Sequence, residues 1–275
     1  MNRADEQAHD RGGDVAPFDE NERQKARRVM VSVVIPVKDD RTELVRCLAA
    51  LRTQTRRADE IVVVDNASQD DSASVAISDG AVVVSCPEPG IPAASSRGYD
   101  TATGDVILRL DADCVPPLTW IAEVVETFEV LPEVSALTGS ARFIDGPPVL
   151  RTPLAMIYLF AYTVAAGAAL GHRPLFGSNL AMRRDAWQAI RESVHRHDPE
   201  LHDDLDLSFH LGEQHLVRRM NAEAMGISMR PFRSVSSFRR RIARGFRTVV
   251  EHWPADFPPM RWRRIIGSRR HASAA

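Results

Sequence analysis

The sequence predicts an α/β fold with a mainly parallel, twisted sheet flanked by helices. Over residues 31–142, short apolar runs rich in β-branched residues alternate with helical patterns, and most of these runs end in carboxylates. Continuous apolar runs are typical of strands buried on both faces, and strands separated by helices indicate βαβ units with right-handed crossovers. A chain of 275 residues with 44% hydrophobic content can form one large α/β domain or two small ones that share a core.

Four buried strands are predicted in the first half of the chain. Their sequences are VSVVIPV, EIVVVD, AVVVS and DVILRLD, and the connecting segments carry helical or turn patterns. The bounds are Val31–Val37, Glu60–Asp65, Ala81–Ser85 and Asp105–Asp111.

Helices are predicted between these strands and in the less regular second half. Leu44, Leu48 and Leu51 recur at helical spacing, which indicates an amphipathic helix after the first strand. A further helix is predicted over Ala93–Ala102, and a basic one from Phe238 to about Glu251.

Polar residues follow three of the four strands: Lys38-Asp39-Asp40, Asp65-Asn66 and Asp111-Ala112-Asp113. In a parallel sheet, ligands bind at the carboxyl ends of the strands, so these side chains should share one edge. Asp and Asn also cap helices, and for Asp40 we favour that interpretation.

The Asp111-Ala112-Asp113 segment predicts a cation site. Two carboxylates two residues apart at a strand end can face the same side of a cleft. They suit a hard divalent ion, Mg²⁺ or Mn²⁺, shared with substrate phosphates. The alternative is a pair of helix-capping residues before Pro116-Pro117.

The HDDLDL segment predicts a carboxylate with catalytic potential. If a helix begins at Asp203, Asp204 points into the cleft while Leu205 and Phe209 pack inward. Like-charge repulsion among close acids would raise a carboxylate pKa, which suits a general base. The alternative is a solvated helix start, where acids favour the positive end of the helix dipole.

Three segments bear on location. Residues 1–29 are polar and mixed in charge, which predicts a disordered leader rather than a signal peptide, and three scattered cysteines fit a reducing cytoplasm. Pro153–Gly171 is free of charge, and we expect a buried or interfacial helix rather than a transmembrane span. From Arg230 onward there are twelve arginines and two acids. Such a basic segment suits phosphates, nucleic acid or an anionic membrane surface, and the alternative is a solvated arginine-rich face. Among these partners we expect no nucleic acid, and a peripheral contact with the inner face of an anionic cell membrane.

These motifs, in their order and spacing over residues 31–211, resemble the GT-A fold of family 2 glycosyltransferases. The resemblance implies one GT-A domain, with a nucleotide-sugar-binding half at 30–143, an acceptor-binding half at 144–252 and a basic tail at 253–275. It also implies metal-dependent, non-processive transfer of a sugar, with inversion, from a nucleotide diphosphate, most commonly a UDP-sugar, to a hydroxyl acceptor.

The resemblance also implies roles for individual residues. Asp204, next to Asp203, corresponds to the base of inverting members, while Asp113 and Asp111 would hold the metal. The residues it places at the nucleotide and donor are Pro36, Asp39, Asp65, Arg97, Asp111, Gly177, Ser178, Asn179, Arg239 and Arg240.

The sequence departs from the family pattern at three points. Asp203 stands where Glu is usual, Gly98 where Asn is commoner, and the Gln-x-x-Arg-Trp element of processive synthases is replaced by SSFRRRIARGFR. This last segment is similar to the Ser-x-Arg-Arg element of small soluble members, whose arginines contact phosphates.

Other classes fit less well. A dinucleotide-dependent oxidoreductase would need a glycine-rich turn where the chain has PVKDDR. A phosphatase or nucleotidyltransferase could use metal-bound aspartates, but the order of the motifs argues against both. A catalytically inactive nucleotide-sugar-binding protein would have no use for a base such as Asp204.

Overall fold

The computed structural model describes residues 28–232 and 234–272, so all but the last two residues of the predicted leader lie outside the described part. A seven-stranded sheet runs in the order β3-β2-β1-β4-β7-β5-β8, and β6 pairs with β9 separately. The strands are β1 Val31–Val37, β2 Glu60–Asp65, β3 Val82–Ser85, β4 Val106–Arg109, β5 Val134–Thr138, β6 Ala141–Phe143, β7 Leu180–Arg183, β8 Leu216–Arg219 and β9 Met225–Ile227.

Helices cover both faces and the carboxyl edge of this sheet. Buried leucines of the first helix pack on one face, and Tyr99 and Trp187 pack on the other. The helices are α1 Arg41–Arg52, α2 Ser72–Ser78, α3 Ile91–Thr101, α4 Trp120–Val130, α5 Pro148–Leu170, α6 Arg184–Ile190, α7 Asp203–Gln214, α8 Val235–Glu251 and α9 Pro258–Ala272.

The predicted mixed α/β fold with a mostly parallel sheet is confirmed. Strands β1, β2, β3 and β4 are parallel neighbours, as the alternation of strands and helices predicts. The third and fourth strands are shorter than predicted, beginning at Val82 and spanning Val106–Arg109.

The direction of strand β7 determines which residues meet at the carboxyl edge of β4. This strand lies antiparallel between β4 and β5, with Arg109 opposite Leu180. The start of β7 therefore adjoins the end of β4. As a result, the short turn Gly177–Asn179, which precedes β7, stands beside the acids that follow β4.

Helix α5 corrects one expectation. It covers the apolar segment, but only 22% of its most apolar stretch is buried. Of the two alternatives that the sequence left open, a buried helix is therefore wrong, and an interfacial helix stays a prediction. Ala155, Ala166 and Leu170 face the protein, whereas Ile157 and Phe160 are exposed. By length and composition alone, this helix could cross a membrane, and it is the one such helix among the described residues.

Gly98 allows helix α3 to lie directly on the sheet. A Cβ atom at this position would stand 2.3 Å from Val34 Cγ1 and 2.9 Å from Val64 Cγ2, on strands β1 and β2. The close approach of α3 to the sheet therefore requires glycine where the resemblance would favour asparagine.

Replacing Gly98 with alanine should destabilise the fold. We expect Gly98→Ala to cost about 1–3 kcal/mol through overpacking, measured as a lower Tm in thermal unfolding. Gly245→Ala on α8 is the matched control, because no atom lies within 4 Å of its Cβ position. A Gly98→Ala protein as stable as this control would show that α3 can move away from the sheet at little cost.

Candidate active site

A row of acidic side chains follows the carboxyl ends of β2, β1 and β4. At its outer end, Asp65 Oδ1 accepts a hydrogen bond from the Ser68 N–H at 3.2 Å, and Asp39 Oδ1 accepts one from the Gln69 N–H at 2.6 Å. One loop thus fixes acids from two neighbouring strands. Asp39 adopts a positive φ of 50°, which turns the chain sharply at the end of β1.

Arg230 links the next two acids. Its guanidinium donates to both carboxylate oxygens of Asp40 and lies 2.8 Å from Asp113 Oδ2. Asp40 does occupy the N-cap position of α1, but its side chain makes no capping hydrogen bond. The capping interpretation of Asp40 is therefore wrong, because its carboxylate is hydrogen-bonded to Arg230, an arginine 190 residues away.

Arg109 joins strand β4 to helix α7. Its side chain is almost fully buried, and Nη2 lies 2.7 Å from Asp111 Oδ1 and 3.3 Å from Asp203 Oδ2. The guanidinium keeps its charge despite burial, because Asp111 and Asp203 raise the pKa of Arg109. A buried cation therefore holds together acids that are 92 residues apart in the sequence.

The turn before β7 connects the two acidic groups. The Gly177 N–H donates to Asp204 Oδ2 at 2.7 Å, and Ser178 Oγ donates to Asp111 Oδ2 at 2.5 Å. A Cβ atom on Gly177 would stand 1.6 Å from Arg109 Nη1, so this position requires glycine. Consecutive residues thus hold Asp204 and Asp111 on the wall of one cavity.

Asp204 is surrounded by donors. Besides Gly177, His202 Nδ1 lies 2.5 Å from Asp204 Oδ1, and Tyr162 Oη lies 3.3 Å from the same oxygen. Burial alone would raise the pKa of Asp204, but the His202 imidazolium and the Gly177 N–H outweigh it and hold that pKa well below its usual range. Burial opposes charge on His202 as well, yet Asp204 raises the pKa of His202 above its ordinary value.

Asp203 behaves in the opposite way. Burial raises the pKa of Asp203, the Arg109 guanidinium opposes the rise, and the Asp204 carboxylate adds to it. Like-charge repulsion was expected to raise the pKa of one carboxylate in this segment. The raised pKa falls on Asp203, whereas the groups around Asp204 keep Asp204 ionised.

The basic helix α8 closes the cavity, which has a volume of about 280 Å³. Arg240, Arg241 and Arg244 line it opposite the acids, whereas Arg239 is exposed and does not line it. Arg241 also donates to Tyr158 Oη at 2.6 Å. The cavity is thus lined both by acids and by arginines, which suits a ligand that carries a cation and phosphate groups.

Six predicted donor residues do not line this cavity: Arg239, the strand-end acids Asp39 and Asp65, and Arg97, Asn179 and Pro36. Arg97 is exposed on α3 near Cys86, and in the described part of the chain its guanidinium makes no hydrogen bond or ion pair. Asn179 is fully buried, where its amide binds Trp120 Nε1 and the Ser140 carbonyl. Pro36 is half-buried within β1, opposite Val64.

Four residues of the site were not predicted from the sequence. Arg109, His202, Arg241 and Arg244 all line the cavity. The signal for Arg109 was available, since a charged residue inside a buried strand requires a partner. Nothing in the sequence distinguishes Arg241 from Arg239, because their helical phase matters only once the packing of α8 is known.

The acids after β4 fit a divalent cation. A carboxylate oxygen from each of Asp111 and Asp113 lies within 4.8 Å of the other and of the Cys114 thiol. Burial raises the pKa of the Cys114 thiol far above its ordinary value, and so the two carboxylates form the donor set. Burial and the Asp111 charge raise the pKa of Asp113, although the Arg230 guanidinium lowers it. The negative charge at this site is therefore only partly compensated, and a further cation would be stabilised there. Hard oxygen donors of this kind suit Mg²⁺ or Mn²⁺.

The fold is the GT-A fold. The model for glycosyl transferase family 2 matches residues 32–192, more than half of the chain. The chain belongs to this family.

The curated relatives match one segment of the chain. Glycosyltransferase AglE of Haloferax volcanii is 32% identical over 105 residues, which cover 35% of this chain and 34% of AglE. An undecaprenyl-phosphate 4-deoxy-4-formamido-L-arabinose transferase of Pseudomonas aeruginosa is 38% identical over 107 residues, covering 35% and 32%. The match thus spans about a third of the length of these relatives.

Solved structures share the fold over most of the chain. Glucosyl-3-phosphoglycerate synthase of Mycobacterium tuberculosis aligns with a TM-score of 0.59 and 19% identity, covering 84% of this chain and 83% of that one. Its complex with Mn²⁺, UDP and glucosyl-3-phosphoglycerate aligns with a TM-score of 0.55 at 20% identity, covering 78% of each chain. At this identity the likeness shows the fold alone.

Removing the buried guanidinium should weaken the fold strongly. We expect Arg109→Met to cost about 3–5 kcal/mol at neutral pH, because Asp111 and Asp203 lose their shared cation. The loss should shrink at acidic pH, where protonation removes the uncompensated charge. Unfolding in denaturant at both pH values measures it. Arg191→Met is the control, since its pair with Glu192 is exposed. An equal, small loss in both variants would contradict the role of Arg109.

Proposed function

We propose that this chain is an inverting, metal-dependent, non-processive glycosyltransferase that moves a sugar from a nucleotide diphosphate, with UDP as the favoured nucleotide, to an acceptor hydroxyl. The observation that carries the proposal is the Gly177–Ser178 turn. Through hydrogen bonds to Asp204 and Asp111, this turn brings the start of α7 and the end of β4 to one cavity. Arginines of α8 line the same cavity.

The donor would lie across the carboxyl ends of β2, β1 and β4. Asp65, Asp39 and Pro36 stand where the base and ribose would bind, and Arg97 is near the end of β3. The Mycobacterium tuberculosis synthase of the same fold was solved with UDP and Mn²⁺, which supports both assignments. Asp111 and Asp113 would hold the cation, which when bound supplies positive charge to the diphosphate leaving group.

The arginines of α8 would share that charge. Arg240 and Arg244 line the same cavity as Asp111, and Arg239, which does not line it, would be an outer phosphate contact. Guanidinium groups bind phosphate oxygens with paired hydrogen bonds. An anomeric carbon beside a diphosphate held in this way would lie in the same cavity as the acid pair.

The acid pair would receive the acceptor. A hydroxyl that loses its proton to a carboxylate attacks the anomeric carbon from the side opposite the diphosphate, so that one displacement inverts this centre. We assign the base to Asp204, which stays ionised over the physiological pH range and matches the family base in position. Asp203, held by Arg109 and Ser95 Oγ, then positions the neighbouring groups.

Removing the carboxylate charge of Asp204 should nearly abolish transfer. We expect Asp204→Asn to lower kcat by ~10²–10⁴, the contribution of a general base, with unchanged binding of UDP and Mn²⁺. Single-turnover transfer and a thermal-shift titration with UDP measure the two effects. Proton NMR of the product would show the inverted anomeric configuration.

Asp203→Asn is the matched control. A larger loss in Asp203→Asn, with Asp204→Asn near wild type, would move the base to Asp203. A loss in neither variant would show that the accepting oxygen is already anionic, as in a phosphate, and would contradict a hydroxyl acceptor.

We also propose that the acceptor is carried by a lipid and that the enzyme works peripherally at the cytoplasmic face of a membrane. An apolar groove of about 480 Å³ runs between α5 and α8. His202 and Arg241 line both this groove and the acidic cavity, so the two adjoin at these side chains. An apolar chain in the groove would bring a polar head group to Asp204.

The outer surface beside the groove supports this proposal. Phe160 and Ile157 on α5 and Phe246 and Ile242 on α8 are all more than half exposed. Contiguous exposed apolar side chains mark interaction or membrane surfaces. The Pseudomonas aeruginosa relative is named for undecaprenyl phosphate, a lipid, although it matches this chain over a third of its length.

Charged residues at the groove rim should prevent membrane binding. We expect the double variant Ile242→Glu and Phe246→Glu to bind phosphatidylglycerol vesicles at least about tenfold more weakly, since each side chain forfeits about 1.5–3 kcal/mol of burial. Co-sedimentation at low salt measures the binding. Ile77→Glu, at an exposed apolar position on α2, is the matched control. A wild-type protein that does not co-sediment with these vesicles would contradict the proposal.

A further inference from the structure

A second group of metal-binding side chains lies outside the acidic cavity. It consists of His195 from the segment after α6, Asp206 and His210 from α7, and His252 at the end of α8. Asp206 Oδ1 stands at its centre, 2.7 Å from His195 Nδ1, 3.3 Å from His252 Nε2 and 3.6 Å from His210 Nε2. The proposed sugar transfer uses none of these residues.

Three of these four atoms are spaced as in a tetrahedral ion site, namely His210 Nε2, His252 Nε2 and Asp206 Oδ1. Ligands about 2.0–2.1 Å from a zinc ion stand about 3.3–3.4 Å from one another in a tetrahedron. The Nε2 atoms of His210 and His252 are 3.4 Å apart, and Asp206 Oδ1 is 3.3 Å from one and 3.6 Å from the other. These three atoms therefore form one face of a tetrahedron with nearly the required edge lengths. The fourth residue, His195, is hydrogen-bonded to the Asp206 carboxylate.

Neighbouring groups orient two of the ligands. His252 Nδ1 lies 2.8 Å from the Thr248 carbonyl, which can only accept, so Nδ1 carries a proton and a neutral ring turns its Nε2 lone pair toward His210 and Asp206. The same ring stacks on Phe209 at 4.0 Å between centroids. Asp206 Oδ2 accepts the His195 N–H at 2.9 Å, which leaves Oδ1 facing the imidazoles. Metal-binding histidines and carboxylates are held by outer hydrogen bonds of this kind.

We propose that His195, Asp206, His210 and His252 form a structural site for a divalent ion that prefers imidazole, with Zn²⁺ as the best fit. Three imidazoles and one carboxylate are a zinc ligand set. Asp206 and His252 are buried, while His195 and His210 are partly exposed, so an ion has a path inward.

Such an ion would fix the two helices that form the active site. It would tie the segment after α6 and the end of α8 to α7, whose first turn carries Asp203 and Asp204. Helix α8 carries the cavity arginines. The ion would thus set the distance between the acids and the arginines without touching substrate.

Zinc content and cobalt absorption test this proposal on the full, tag-free chain. We expect one zinc per chain after dialysis against chelator and reloading. We also expect intense visible absorption from cobalt, since four-coordinate cobalt absorbs strongly and six-coordinate cobalt on the carboxylates Asp111 and Asp113 absorbs weakly. Zinc should also raise the Tm of the wild type.

Variants assign the site. His210→Ala should weaken zinc binding at least about 100-fold, since even outer partners of a metal site contribute 10–100-fold. His195→Ala, which removes a partly exposed ligand, provides a second test if His210→Ala does not fold. His197→Ala is the control, because this exposed histidine pairs with Glu88 outside the cluster. Asp113→Asn should keep the zinc.

Two outcomes would overturn the proposal. The first is a reloaded wild-type protein with no zinc and no intense cobalt bands, which would make the cluster a hydrogen-bonded network only. The second is zinc that is lost in Asp113→Asn but kept in both His210→Ala and His195→Ala, which would place the ion in the acidic cavity.

Discussion

The buried guanidinium of Arg109 is the interaction on which the active site depends. It stands between Asp111, which follows strand β4, and Asp203, which begins helix α7. Taking an ion out of water costs several kcal/mol, and such a charge is tolerated only with well-placed partners. Arg109 therefore makes the position of α7 depend on the end of β4. The turn at Gly177 must be free of a side chain, because the guanidinium fills the space where one would lie.

Two adjacent acids beside this charge differ in their properties. Asp203 contacts Arg109 yet has a raised pKa, whereas Asp204 accepts from the Gly177 N–H, pairs with the His202 imidazolium and has a lowered pKa. Sequence neighbours on a first helical turn point in different directions, so each meets its own set of donors. Environments that separate the pKa values of paired carboxylates are typical of sites where acid and base roles are divided. Here they leave one carboxylate permanently charged beside one that can titrate.

The parallel half of the sheet could be predicted because its strands are apolar, β-branched and separated by helices, a pattern that few folds other than a parallel α/β sheet produce. The acids at the strand ends followed from the same topology. The orientation of β7 could not be predicted, since Leu180–Arg183 is a short apolar run with no sign of direction. The choice between a buried and an interfacial α5 could not be made, because an uncharged helix looks the same in sequence whether protein covers it or not. The side chain of Asn179 faces Trp120, a partner 59 residues away that no local pattern reveals.

Arg230 has a consequence for how the protein exists before any ligand arrives. Its guanidinium lies between Asp40 and Asp113, and so the mutual repulsion of the strand-end acids is relieved from within the chain. Arg230 thus serves as the counter-ion of Asp40 and Asp113. Under the proposed function, an incoming cation would exchange with a tethered charge instead of entering a bare acidic pocket, and its apparent affinity would be the difference between two attractions. Arg230 lies at the rim and is nearly half exposed, so the displaced side chain needs only to turn outward.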